Sequence, residues 1–468
     1  MGSDVETTSS RANMEITPYD KTMSNMKIGV CEMQGWRHTM EDAAIVLPNF
    51  QPNTSLFGIL DGHGGSIISE FISVNFKNVL IKTNSYNNGN YPQALVHTFL
   101  IMDELLKDRD VNNFIYSTHN LKEDKENNDV QLTRSQTMIK NNKSKIKLRF
   151  EAGVYEYDLD NINLKYETEN LTTTVYEYKK PALTPKGENK GIDQKNPNFN
   201  FEDVFFQKSG KQNQVSNGLP LFKDVYYINN MAINIEEGEN INNNNLKIEK
   251  FEEISRDNFI ANEMGTTANI MLIKNGYIYI ANVGDSLSVM YKNGKAYNLN
   301  KEHQLIIEEE KDRVLKSGAT IVGYRINGML NLTRALGDLK FKLNPNLKVY
   351  EQSVIAVPEI TKIELTNDID FIIMGCDGVW DCVKRQLVCD FVSKQIKENP
   401  DKNLSDILKV IFERCVAPVY GVVVGTDNMS CIVVQFLKEK KNNIENNIVA
   451  HKIDFGKETV EKIEIEVK

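Results

Sequence analysis

The 468-residue chain has two tryptophans, six histidines, no excess of positive charge and no long apolar run. Each shortage excludes something. A membrane-spanning helix needs roughly 18 consecutive apolar residues, so no transmembrane segment is predicted. Lys and Arg number 55 against 64 Asp and Glu, a formal net charge of −9. That balance is the reverse of the basic face that nucleic acid requires, and a nucleic-acid partner is not expected. So few histidines also speak against the His-rich ligand sets of a two-metal nuclease. The cysteines Cys31, Cys376, Cys382, Cys389, Cys415 and Cys431 show no paired metal-ligand spacing. Residues 1–25 are polar, without the apolar core of a signal peptide. The expectation is six reduced thiols in a cytoplasmic or nuclear protein that is not secreted. Glu6 stands where a myristoylation signal after Gly2 wants Ser or Thr.

What remains is ordinary for a folded chain: 41% hydrophobic and 25% charged residues, enough length for two or three domains or for one large domain with an insertion. Residues 1–25 read as a disordered tail. Strand-like runs follow at Lys27–Met33 and Leu56–Leu60. Ile67, Ile68, Phe71, Ile72, Phe76, Val79 and Leu80 then share one helical face. A second helix starts near Pro92. Composition turns Asn- and Lys-rich at about 107–258, with Asn141-Asn-Lys-Ser-Lys145 and Asn240-Ile-Asn-Asn-Asn-Asn245, and predicts a partly disordered insertion. Its apolar pieces, Ile146–Tyr157 and Val225–Ile235, leave room for added strands. Beyond it, Ala268–Ile273, Tyr277–Val283 and Leu287–Tyr291 form a meander punctuated by Asn275-Gly276 and Asn293-Gly294, strong hairpin signals. Glu302–Ser317 reads as a helix ended by Gly318. Phe371–Cys376 and Met429–Leu437 are further strands, and residues 438–468 form a C-terminal extension. Strands mixed with helical hairpins predict an α+β layered domain.

Acidic residues cluster where strands end: Glu41-Asp42, Asp61 after Leu56–Leu60, Asp377 after Phe371–Cys376, and Asp427 before Met429. Any one such Asp is usually a turn residue. Gathered together, they are what hard dications such as Mg2+ and Mn2+ require, because these ions prefer oxygen ligands.

The wording of these segments resembles the metal-dependent Ser/Thr protein phosphatases of the PPM (PP2C) family. The matches run in order: Gly35-Trp-Arg-His-Thr-Met-Glu-Asp42, Leu60-Asp-Gly-His-Gly-Gly65, Gly265-Thr-Thr-Ala268, Ala281-Asn-Val-Gly-Asp-Ser286 and Glu310-Lys-Asp-Arg313. They continue with Asn327-Gly-Met-Leu-Asn-Leu-Thr-Arg-Ala-Leu-Gly-Asp338, Cys376-Asp-Gly-Val-Trp-Asp381 and Thr426-Asp-Asn-Met-Ser430. The resemblance covers roughly residues 25–106 and 259–437. It implies a four-layer α-β-β-α sandwich, two antiparallel sheets flanked by helices, with two Mg2+ or Mn2+ ions at one edge. By the same resemblance Asp61 bridges the ions, the Gly62 carbonyl binds one, Asp377 and Asp427 bind the other, and Glu41 acts through bound water. Asp42 supports them from behind, and Asp285 and Asp381 match positions that many members use for a third ion. The implied activity is hydrolysis of phosphoserine and phosphothreonine in phosphorylated protein substrates by a hydroxide bridging the two ions.

Phosphomonoester hydrolysis is so slow unaided that charge neutralisation and positioning must dominate. Arg37 offers a guanidinium fork for the phosphate, and His63 is the candidate acid for the departing alkoxide. Arg334 is expected to brace a sheet; Lys340, Lys342 and Lys348 fall where the family has a flap, and are read equally as a contact for acidic phosphopeptides or as a solvated loop. A monomeric catalytic domain is expected. The alternative, a catalytically silent scaffold that binds partners through its insertion, sits poorly with an intact set of Arg37, Asp61, Asp377 and Asp427.

Overall fold

The computed structural model describes residues 8–125, 145–150, 153–159, 175–177, 223–224, 259–419, 424–438, 449–454 and 459–464. Its main strands are β1 (Thr8–Thr22), β2 (Met26–Arg37), β3 (Ala43–Gln51), β4 (Thr54–Leu60), β5 (Ala268–Lys274), β6 (Tyr277–Val283), β7 (Leu287–Lys292), β8 (Lys295–Asn298), β9 (Glu359–Glu364), β10 (Ile369–Gly375) and β11 (Met429–Phe436). One six-stranded sheet runs β1-β2-β11-β10-β7-β8. The other runs β3-β4-β5-β6-β9 and is extended beyond β9 by Val175–Glu177 and Lys223–Asp224. Neighbours are antiparallel except where Val175–Glu177 joins β9.

Alternating side chains sort these strands into layers. In the second sheet Val46, Phe57, Ile59, Met271, Ile273, Ile278 and Ile280 face the first sheet and share its core. Their neighbours Ile45, Leu47, Leu56, Leu60, Ile270 and Leu272 turn outward. There they meet Phe71, Ile72 and Phe76 of α1 (Ile67–Leu80) and Leu95 and Phe99 of α2 (Tyr91–Leu105). Each such side chain removed fully from water contributes roughly 1.5–3 kcal/mol. Both faces of the central strands are covered, which explains runs too continuously apolar for a half-solvated strand. The expected α-β-β-α order is the observed one.

Across the first sheet, α5 (Arg385–Glu398) and α6 (Leu404–Cys415) form the outer layer. Gly29 allows α6 to approach, since a Cβ there would lie 2.3 Å from the Leu404 Cβ. The hairpin reading of Asn275-Gly276 and Asn293-Gly294 holds: each links paired strands, and all four residues have positive φ, as a tight type I′ turn demands.

Two expectations are corrected, and the added strands allowed for in the insertion are found. Thr8–Thr22 is not a structureless tail but an edge strand paired to β2, and Asp20 on it accepts from the Ser405 backbone N–H at 3.0 Å, capping α6. The helix expected over Glu302–Ser317 is shorter: α4 spans Glu308–Lys316, because the preceding residues are used in pairing, His303 N–H to Gly284 O at 2.9 Å and Gln304 with Leu332. Gly318 ends it with φ +89. Part of the insertion belongs to the body of the domain. It contributes α3 (Arg109–Lys125) and a hairpin of Lys145–Phe150 and Gly153–Asp158. The hairpin docks on α1, where Asn75 and Arg149 exchange two hydrogen bonds of 2.6 Å and Phe150 packs edge-on against Phe71. Val225–Ile235, Asn240–Asn245 and most of the Asn-rich stretch before Lys145 lie outside the described residues. Among the described residues no helix is long and apolar enough to cross a membrane.

Candidate metal centre

Antiparallel pairing decides at which end of each strand the acidic residues stand. Met33 pairs with Met429, Gly375 with Cys431, Leu287 with Gly375, Ala43 with Leu60 and Ala268 with Val283. The chain therefore leaves β4 at Asp61, β6 toward Asp285 and β10 toward Asp377, and enters β3 from Glu41-Asp42 and β11 from Asp427, all at one edge. One carboxylate oxygen from each of Asp61, Asp285 and Asp377 lies within 4.8 Å of the others, and so do oxygens of Asp42 and Asp61 with the Cys376 sulfur.

Hydrogen bonds hold the remaining members around this cluster. Arg37 Nη2 donates to Asp427 Oδ2 at 2.7 Å. Glu41 accepts from Thr39 Oγ1 at 2.9 Å and from the Gly65 N–H at 3.1 Å. Gly62 is required where it stands, because a Cβ would lie 2.2 Å from the Glu41 carbonyl oxygen. Asp381 closes the one-turn helix Asp377–Trp380.

So many acids in one place repel one another. Burial first, then Asp42, Asp377, Asp427 and Asp285, push the Asp61 carboxyl well above the ordinary aspartate range. Burial, Asp285, Asp427 and Asp381 do the same to Asp377. Asp42 is pushed up to about 7, chiefly by burial, and Asp285 to about 6, also chiefly by burial. Asp42 is buried beside Ser430 and Cys376, whose side chains partly offset that rise. An oxygen-rich set this overcharged fits small hard dications.

A family model described as Protein phosphatase 2C matches residues 26–125 and 226–420, well over half of the chain. The chain belongs to that family. Relatives at 28% identity include the probable protein phosphatase 2C 21 of Arabidopsis thaliana, with 91% of each chain covered. Another is the probable protein phosphatase 2C 11 of Oryza sativa subsp. japonica, with 95% of this chain and 92% of the relative covered. The probable protein phosphatase 2C 4 of Paramecium tetraurelia is 26% identical over 87% of this chain and 91% of its own. In this protein phosphatase 2C chain Glu41, Asp61, Asp285, Asp377 and Asp381 fall within the matched spans, whereas Asp427 stands just past the second.

Two residues of the site went unassigned in the sequence reading. Asp338 Oδ2 lies 2.7 Å from His63 Nε2. Asp338 adopts φ +50, a left-handed conformation that Asp and Asn tolerate better than most, and its place after Gly337 at the end of a motif was the available signal. Asn428 ties three segments together: its Oδ1 accepts from the Glu41 N–H at 2.9 Å, and its Nδ2 donates to Gln34 O and Thr39 O at 2.8 and 3.0 Å. The basic flap is corrected in part. Lys342 is buried and donates to Asp103 Oδ1 at 2.6 Å and Ala335 O at 2.8 Å, and Lys340 pairs with Glu263. Lys348 stays exposed. Arg334 ties α4 to the loop before β9 rather than bracing a sheet, donating to Glu310 and to Val357 O.

Proposed function

We propose that this protein phosphatase 2C chain is a metal-dependent protein Ser/Thr phosphatase. The observation that carries the reading is the mutual approach of Asp61, Asp285 and Asp377, drawn from both sheets, beside Asp42 and the Arg37–Asp427 pair. Glu41, Asp61, the Gly62 carbonyl, Asp377 and Asp427 would hold two divalent ions, with Asp61 shared between them. Asp285 and Asp381 would take a third. Mg2+ or Mn2+ held there would supply charge neutralisation and an activated water. Arg37, anchored by Asp427, turns its guanidinium fork to the phosphate oxygens. His63 has Asp338 against one ring nitrogen, which leaves the other to hand a proton to the departing serine or threonine oxygen. The substrates are phosphorylated proteins.

The test is hydrolysis of a phosphothreonine peptide with Mn2+, with Mg2+ and with EDTA, for the wild type and Asp377→Ala. Turnover is expected only with an ion, and Asp377→Ala is expected to abolish it. Metal-independent turnover or an unaffected variant would overturn the mechanism, and a wild type inert with either ion would favour the silent scaffold.

A further inference from the structure

The His63–Asp338 pair stands on a stretch of backbone that does not hold itself. Gly337 and Asp338 both take left-handed φ, +80 and +50, and a residue with a Cβ keeps that conformation only where its surroundings impose it. Three two-residue strands, Gly62–His63, Gly265–Thr266 and Leu336–Gly337, set the pair face to face. Gly265 pairs with His63 on one side and with Gly337 on the other. The two side chains meet directly over Gly265, where a Cβ would overlap the Asp338 carboxylate and lie 2.7 Å from His63 Nε2. Any displacement of Gly337 is therefore passed to the imidazole.

The far side of Leu336–Gly337 is gripped by two charges. Asp103, 4% exposed on α2, accepts from the Gly337 N–H at 3.1 Å through Oδ1. The same oxygen accepts from Lys342 Nζ at 2.6 Å, and Lys342 donates also to Ala335 O at 2.8 Å. Lys107 stands 3.4 Å from Asp103 Oδ2. The turn Leu339–Phe341, which begins at Asp338, carries Lys342 back to the strand. Burying such a pair gains little stability over apolar residues of similar volume. What it does secure is the backbone on both sides of Leu336, one residue short of Asp338.

We propose that Asp103 and Lys342 are positioning residues for His63, fixing Asp338 through the backbone of Ala335 and Gly337. This role rests on the reading in which His63 protonates the departing oxygen. There the P–O bond breaks, its electron pair stays with the serine or threonine oxygen, and the proton on the His63 ring joins that oxygen. Loosening Asp338 frees the ring to turn, so the proton is no longer aimed.

Leaving-group dependence separates positioning from support of the fold. A phosphothreonine peptide releases a strongly basic alkoxide that needs a proton, whereas p-nitrophenyl phosphate releases a phenolate that leaves without one. The full-length chain carrying both Asp103→Leu and Lys342→Met, assayed with Mn2+, is expected to lose kcat on the peptide by roughly tenfold more than on p-nitrophenyl phosphate. Peptide KM should move little, because Arg37 is untouched. His63→Gln should show the same bias. Adding it to the double variant should lower peptide kcat little further, since residues that act as a unit are not additive. Thermal unfolding checks that each variant is folded. Where the double variant is not, Asp103→Asn, which weakens the acceptor offered to Gly337 and Lys342, takes its place in the same comparison. Equal losses on both substrates, beside a clear bias in His63→Gln, overturn the positioning role alone. No bias in His63→Gln removes the acid role of His63, and the positioning role falls with it.

Discussion

Stripping the centre with EDTA turns carboxylate repulsion into a measurable loss of stability. Asp285 is 3% exposed, and burial pushes it up to about 6 despite the Gln304 hydrogen bond of 3.1 Å, with Glu302 and Asp381 adding to the rise. In the unfolded chain it titrates near 3.8. The folded, ion-free protein therefore holds this proton more tightly than the unfolded chain does. That stabilisation is complete below the unfolded value and is lost as pH rises through about 6. The difference corresponds to ~3 kcal/mol for Asp285 alone, which translates into a Tm change on the order of 5 °C. Asp42, Asp61 and Asp377 shift in the same direction. Thermal unfolding from pH 3.8 to 7.5 in EDTA should accordingly show a falling Tm, and saturating Mg2+ should remove the fall by satisfying the ionised carboxylates. Asp285→Asn should raise the EDTA Tm at neutral pH and flatten the profile. An identical EDTA slope in wild type and variant would refute the reasoning.

Three further perturbations probe separate parts of the molecule. Arg37→Ala removes the guanidinium anchored at Asp427 and is expected to lower kcat/KM on a phosphothreonine peptide by roughly ten- to a hundredfold, mainly through KM. Arg37→Lys should recover only part, for want of the fork, and an unchanged KM would exclude the phosphate role. Lys342→Met leaves buried Asp103 with Lys107 at 3.4 Å and the Gly337 N–H as partners. Urea unfolding should register a loss of about 3 kcal/mol, and a double variant that also carries Asp103→Leu should regain some of it. Asp20→Ala removes the cap that β1 lends to α6 and should cost about 1 kcal/mol by the same measurement; no change would mean that the edge strand contributes little.

Where the fold was legible in the sequence, the reason is local. Phe57 beside Leu56, and Met271 beside Leu272, show period-two placement in strands covered on both faces, and Asn-Gly pairs announce their own turn. Polar edge strand β1 carries no such mark. Residues 13–22 are mostly exposed, and their order comes from the β2 backbone ladder and from Asp20 reaching Ser405, neither visible in a window of neighbouring residues. The start of α4 was hidden for the same reason, since Gly284 and Leu332 claim the backbone of His303 and Gln304 from far along the chain.

The site divides along the same line. Its acids were legible because each stands at a strand end within a distinctive motif. Asp338 was not, because its partner His63 is 275 residues away and only the folded sheets bring them to 2.7 Å. Convergence has an energetic consequence that no motif conveys. Antiparallel pairing forces Asp61, Asp285 and Asp377 together whether or not an ion is present, and the packed sandwich on both sides keeps them from separating. Repulsion that would scatter these carboxylates in a loose chain is instead held in place by the core. The proposed centre is therefore preorganised for dications at the expense of the ion-free fold, so a substitution that relieves the crowding should stabilise the stripped protein and weaken its hold on the ion together.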